Sequence, residues 1–398
     1  MARPLRSARL RAAALTLPLV FFVGVTFIAP LGSILVRSIH EPQVADALPQ
    51  TLASLEAWDG TSVPSEDMFR TLATEFRLLD EQRKLGSVAT RVNRLESGMR
   101  STMLDTARAL GDADPDSWRD AMIAADPVWG EAKAWLAVRR AGERFTLRHY
   151  LNAIDLDRDA SGNIVAQPPD RRIYLPLLFR TLGVSLVISV ICLILGYPVA
   201  YLIANASPAR SNLLLLLVLV PFWTSLLVRT TSWIVLLQNQ GVVNDLLVAI
   251  GVIGDDGRIA LVYNMVGTLV AMTQILLPFM ILPLYAVMRS ISPVHLRAAS
   301  SLGATFRQGF VHVYWPQTLP GVAAGSLLVF ILSIGYYITP ALVGGRTGQL
   351  ISNMIAYHMQ ESLNWGLAAA LGVILLLGVM LLYLVYNRLV GIERMRLS

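Results

Sequence analysis

Six apolar runs, separated by polar connectors of very unequal length, organise the chain. The first covers residues 14–36, and five more cover residues 177–204, 213–237, 262–287, 319–342 and 367–389. Each is long enough to cross a hydrocarbon layer of roughly 30 Å as a helix. The pattern predicts an all-α, polytopic membrane protein with six transmembrane helices. Between the first two runs the chain changes character. Charges of both signs alternate with apolar residues at helical spacing, as at Phe69, Leu72 and Phe76, then Leu78 and Leu79. Residues 87–110 and 117–140 repeat the pattern, and Pro64, Pro115 and Pro127 fall at breaks. This predicts several short amphipathic helices forming an extra domain, too charged to enter lipid, whose mixed charges are a solvated surface. Three parts follow: residues 1–38 with the first transmembrane helix, a helical insertion over 39–174, and a five-helix membrane core over 175–398.

The connector at residues 289–317 is a polar, basic island with helix punctuation. Ser292 suits an N-cap and Pro293 the first helical position, where a missing N–H costs nothing. Gly303 stands where a left-handed C-cap belongs, and Thr305 can cap a second helix running to about Trp315. Pro316 and Pro320 are expected to break the chain before the next span. Ala298 and Ala299 give the first helix a smooth face that another protein can approach closely. An ordinary membrane loop needs none of this, so the connector reads as a docking surface.

Composition agrees: of 398 residues, 55% are hydrophobic and only 15% charged, too apolar for an ordinary soluble protein. The single cysteine, Cys192, lies in a span, so no internal disulfide can form. Charge is unevenly distributed. Of 27 acidic residues, 22 fall between Glu41 and Asp170. Arg3, Arg6, Arg9 and Arg11 precede the first run, which reads as an uncleaved anchor rather than a removed signal. Arg210, Arg289, Arg297, Arg307, Arg388, Arg394 and Arg396 all fall on one side of a six-span topology. The positive-inside rule makes that side, with both termini, cytoplasmic. The insertion and the connectors 238–260 and 344–365 are then extracytoplasmic.

Candidate chemistry is sparse. The only lysines, Lys84 and Lys133, follow no glycine-rich loop, so the chain has no P-loop. No His/Cys/carboxylate group has metal spacing, and His295 and His312 read as polar loop residues. No metal, cofactor or nucleic acid is expected, and the partners outside protein are a small solute and membrane lipid. Asp157, Asp159, Ser161, Gly162 and Asn163 resemble the start of a calcium loop, but its twelfth position is Pro168, so a plain turn is expected. The spans hold no carboxylate of the kind that marks ion coupling. Trp223, Thr224, Ser225 and Arg229 follow Pro221 inside the third run. Such a group either kinks a helix to line a pathway or is ordinary kinked packing. Trp223, Trp233, Tyr336 and Tyr337 either offer cation–π faces or simply pack. A pore without an energy source and with an elaborate loop points to energy supplied by a separate cytoplasmic protein docking on that loop. An ion-coupled secondary carrier and a non-transporting scaffold are the alternatives; dependence on ATP rather than on an ion gradient separates them.

The connector resembles the signature of binding-protein-dependent ABC importer permeases, Glu-Ala-Ala-x3-Gly-x9-Ile-x-Leu-Pro. Ala298, Ala299 and Gly303 match, Val313 takes the isoleucine position, Trp315 the leucine and Pro316 the proline, while Arg297 replaces the glutamate. Residues 196–202, 222–229, 241–246 and 277–285 are similar to the spermidine/putrescine-type subfamily. The resemblance covers the first span and residues 145 onward; residues 41–143 are additional to it. It implies a type I importer permease fold, with Arg297, Ala298, Ala299, Gly303, Val313 and Pro316 in the ATPase-coupling loop. Trp223, Thr224, Ser225, Arg229 and Tyr336 are candidates for the translocation pathway. It also implies two ATPase subunits, a second permease subunit in a heterodimer, an external substrate-binding protein and a polyamine solute.

Overall fold

The computed structural model describes residues 14–111, 113–159 and 162–390. Arg3, Arg6, Arg9, Arg11, Ser161, Arg394 and Arg396 lie outside the described residues. The chain forms two compact units: the residues up to Pro168 with Trp365–Ala370, and Pro169–Asn364 with the residues from Leu371.

The first unit begins with α1 (Ala14–Ile39), a 26-residue apolar helix. Then come α2 (Gln43–Ala47), α3 (Pro49–Glu56), α4 (Glu66–Glu81), α5 (Leu85–Val92), α6 (Met99–Leu110), α7 (Trp118–Ala125), α8 (Ala132–Ala141) and α9 (Arg148–Ala153). On α4, Phe69, Leu72, Phe76 and Leu79 are buried at spacings of three and four. Leu78 is exposed: 100° of helix separates it from Leu79, and Leu79 is the one that faces the core. Phe69 meets Trp135 edge-on at 4.7 Å, and Trp129 meets Trp135 at 5.4 Å. Both indoles are buried with their N–H groups satisfied, Trp129 by Thr106 Oγ1 at 2.8 Å and Trp135 by the Trp129 carbonyl at 3.0 Å. Buried Glu75 accepts from the Gln50 and Thr51 amides and so caps the start of α3.

A hairpin, β1 (Leu156–Arg158) and β2 (Ile164–Ala166), follows α9. Asp159, Gly162 and Asn163 of the D-x-D-x-S-G-N segment lie between the two strands. Asp159 Oδ1 accepts from the Asn163 amide at 2.9 Å, and Gly162 has φ +87°. The carboxylate thus serves the turn itself, as expected of an Asp/Gly/Asn turn.

In the second unit, α10 (Tyr174–Asn205) is followed by α11 (Pro208–Leu219), α12 (Leu226–Leu237), α13 (Val242–Ala249) and α14 (Met265–Ser290). Next are α15 (Pro293–Ser301), α16 (Phe306–Gly335), α17 (Ile338–Val343), α18 (Ile351–Gln360) and α19 (Trp365–Val390), whose first turn and a half belongs to the first unit. Helices α10, α14 and α16 form the core, with Ile188, Cys192, Met272, Leu276, Met280 and Val329 fully buried. Gly325 lies on the Met280 backbone and Gly321 on that of Leu284, so close that a Cβ added there would stand 3.1 Å from the Met280 carbonyl oxygen or 3.2 Å from the Leu284 Cα, tighter than ordinary contact. Small residues allow such backbone approach between membrane helices.

Among the described residues five helices are long and apolar enough to cross a membrane, six if one bent pair is a single span. That pair is the third run, expected as one helix. It bends by 95° between Trp223 and Leu226. Pro221 offers no N–H, the Thr224 hydroxyl donates to the Pro221 carbonyl at 2.8 Å, and Ser225 caps α12 by accepting from the Val228 amide at 3.1 Å. The fifth run differs the other way. Pro316 and Pro320 do not break the chain, because a π-turn over Phe310–Tyr314 shifts the register and the helix continues.

Trp135→Ala should destabilise the first unit by roughly 3–5 kcal/mol, read as a lowered urea midpoint of the purified chain in detergent. Glu41 supplies a pH dependence. Burial pushes its carboxyl up, but the hydrogen bond with His149 and the charges of His149, Arg148 and Arg94 outweigh this, leaving it below its usual range. A depressed carboxyl contributes stability that is present above the unfolded value, about 4.3, and lost as pH falls through the folded value. Melting of the unit should therefore be steeper below about pH 4.3 in the native chain than in Glu41→Gln.

Candidate coupling elbow and pathway

The polar connector is an elbow between α15 and α16. Ser292 Oγ accepts from the Val294 amide at 3.3 Å, with Pro293 at the first helical position. At the other end Gly303 has φ +87°. Its N–H donates to the Ser300 carbonyl at 3.0 Å and the Ala304 N–H to the Ala299 carbonyl at 3.1 Å, which is the Schellman pairing. Thr305 then starts α16 with a capping box shared with Gln308. The punctuation expected of Ser292, Pro293, Gly303 and Thr305 is therefore present, while the helix expected to end near Trp315 runs on to Gly335.

Arg297 and Ala298 are exposed on α15, Ala299 half-buried, and the Arg297 Nε makes only a long 3.5 Å contact with the Pro293 carbonyl. Val313 is half-buried in the π-turn and Pro316 exposed just beyond it. Leu302, 89% exposed, and Phe306, 79% exposed, form an apolar tip around Gly303. His295 Nδ1 lies 2.9 Å from Gln317 Oε1 and ties α15 to α16. Sequence reasoning missed what anchors the elbow. Phe310 stacks on Phe306 at 6.3 Å and on Tyr314 at 5.6 Å. Tyr197 and Tyr201 of α10 meet Trp315 at 5.0 Å and Tyr314 at 5.4 Å. The four-residue spacings 197/201 and 306/310/314 were the available signal.

The candidate pathway residues divide into two places. Trp223, Thr224 and Ser225 are exposed at the bend between α11 and α12. Arg229 is one turn into α12, half-buried, its Nε buried without a hydrogen-bond partner and its charge acting on the Tyr336 hydroxyl. Tyr336 is the residue at which α16 ends. Its carbonyl accepts from Ser352 Oγ at 2.6 Å, joining it to α18. Trp233 Nε1 donates to Gln274 Oε1 at 3.3 Å, fixing α12 against α14. The 241–246 segment is a structural staple: buried Asn244 donates to the Ile259 carbonyl and accepts from the Ile259 amide, both at 3.0 Å. Among the described residues no group of three His, Cys, Asp or Glu side chains could hold a metal ion.

Residues 196–391, from within α10 onward, match the family described as binding-protein-dependent transport system inner membrane component. The Salmonella typhimurium spermidine/putrescine transport system permease protein PotB is 34% identical over 216 residues, 54% of this chain and 75% of its own. The Escherichia coli (strain K12) PotB is 35% identical over 216 residues, 54% of this chain and 78% of its own. A crystal structure of a bacterial ABC transporter for the acidic polysaccharide alginate overlaps with a TM-score of 0.43 and 20% identity, covering 54% of this chain and 78% of that one. The apolar spans, the capped elbow and the kinship over three quarters of a permease have one reading: this chain belongs to the family of inner-membrane components of binding-protein-dependent transport systems.

Proposed function

We propose that this chain is one permease subunit of an ATP-driven polyamine importer, taking spermidine or putrescine from an external binding protein. One observation carries the mechanism. Helix α16 begins at Phe306 in the elbow and ends at Gly335, next to Tyr336, so the docking and pathway ends belong to one 30-residue helix. An ATPase seated on Leu302, Phe306 and the Ala298–Ala299 face would move α16 when it closes on ATP. Because α16 packs through Gly321 and Gly325 on α14, the core would turn with it and change access at Arg229 and Tyr336. Arg297, in the place of the family glutamate, turns the contact there toward an acidic group on the ATPase.

The substrate is supported by the two PotB relatives at 34–35% identity. The spans carry no carboxylate but Asp245 at the far end of the bent pair, which is ion-paired with Arg258, and this leaves selection with the binding protein. Orientation follows the arginines: elbow and both termini cytoplasmic, the first unit outside, a second permease subunit completing the path, and ATP hydrolysed by the separate ATPase.

Vesicles holding this chain, its permease partner, the ATPase and the binding protein should take up radiolabelled spermidine or putrescine only with internal ATP and irrespective of ionophore. Uptake of another solute class, or uptake collapsed by ionophore without ATP, would refute the assignment. Gly303 gives a sharper test of the elbow. No atom lies within 4 Å of a Cβ added there, so a substitution is opposed only by the positive φ. Gly303→Asn, which tolerates that region, should keep most uptake, whereas Gly303→Val should lose about tenfold or more with normal membrane insertion. Equal uptake by both variants would exclude elbow geometry from coupling.

A further inference from the structure

A cavity of about 300 Å³ opens in the first unit beside the end of α1. Five arginines line it, Arg91, Arg139, Arg140, Arg148 and Arg158, against three carboxylates. One of those, Glu41, is already engaged, 3.1 Å from His149 Nε2, 3.7 Å from Arg94 and 4.0 Å from Arg91. Arg139 lies over the Trp58 ring and donates to the Trp58 carbonyl, while Arg140 donates to the Asp159 carbonyl. Arg148 and Arg158 have no salt bridge among the described residues. The Nε atoms of Arg91 and Arg148 are buried without a hydrogen-bond partner. The lining thus carries more positive than negative charge and two buried Nε–H donors with no hydrogen-bond acceptor, a combination that an oxyanion satisfies.

Its position in the unit says where that oxyanion comes from. The Thr146 amide donates to the Ile39 carbonyl at 2.9 Å and Ser38 Oγ lies 2.8 Å from Tyr150 OH, so Arg148 is held against the last turn of the apolar helix α1. His149, next in the chain, packs directly on Gly366, in the first turn of the apolar helix α19. The cavity is therefore level with the ends of two helices whose remaining length is apolar, at the depth of lipid headgroups. Its surroundings are apolar and aromatic: Phe145 is 72% and Leu147 58% exposed, with Ile164 on the hairpin and Trp365 at the start of α19 also exposed. Exposed aromatic and apolar groups at that level belong to the membrane interface.

We propose that this cavity binds the phosphate of a phospholipid headgroup, with Arg148 and Arg158 as its principal ligands and Phe145, Leu147 and Ile164 resting on the acyl boundary. The lipid joins the first unit to the bilayer.

The test uses the purified full-length chain in detergent, with phosphatidylglycerol binding followed by native mass spectrometry and by the shift in melting temperature. Arg148→Gln combined with Arg158→Gln should bind phosphatidylglycerol about tenfold more weakly, the loss expected from removing charge-assisted hydrogen bonds. Without added lipid its melting temperature should match that of the native chain. Arg158→Gln alone, on the exposed hairpin, serves if the double variant does not fold. Binding undiminished in both variants would overturn the proposal. So would inorganic phosphate displacing the lipid at equal concentration, since the site would then be one for a free anion.

Discussion

A backbone amide or carbonyl inside a bilayer must find its partner within the protein, and this requirement decides where the membrane unit can bend. The chain meets proline twice at critical places and resolves it oppositely. After Pro221 come Thr224 and Ser225, whose hydroxyls satisfy a carbonyl and an amide, so the helix can stop and restart at 95°. Ahead of Pro316 the register widens instead: the Trp315 amide reaches back five residues to the Phe310 carbonyl, and the helix continues. One proline makes a corner and the other leaves the helix continuous.

The continuous helix matters because of what it packs against. Gly321 and Gly325 bring α16 onto the backbone of α14, and Gly196 brings α10 onto Met280 of the same helix. Contact at that range leaves little room for sliding, because any side chain in the way would have to be expelled from a close-packed interior. Tyr197 and Tyr201 extend the same attachment to the elbow through Phe310, Tyr314 and Trp315. The three helices are consequently a block, and the elbow is part of it.

Much of this was legible in the chain. Apolar length gave the helical membrane class, and Ser292, Pro293, Gly303 and Thr305 gave the elbow, because caps are local chemistry written in consecutive residues. The bend at Thr224 and the continuity through Pro316 were not legible. Proline announces a missing N–H, but whether caps or a register shift compensate depends on neighbours in space. Leu78 and Leu79 were not told apart, because adjacent apolar residues do not declare which of them faces inward. The three-residue strands of the hairpin were too short to show a period. The arginine cavity draws on α5, α8, α9 and β1, so no window of sequence contains it. The anchoring aromatics were visible, yet indistinguishable from ordinary apolar helix positions.

The geometry also fixes how movement at the elbow can be transmitted. A 30-residue helix is about 45 Å long, comparable to the whole bilayer with its headgroups. Its first turn carries the exposed Phe306, and its last is followed by Tyr336, within electrostatic reach of Arg229. A stiff element of that length cannot tilt at one end without displacing the other, so no relay of small side-chain shifts is needed between them. In the coupling proposed above, the place to yield would be the capped break between α11 and α12, immediately before the turn that bears Arg229. A long helix at one end of the path and a corner at the other would then let the unit choose between two packings that opposing partners could bias.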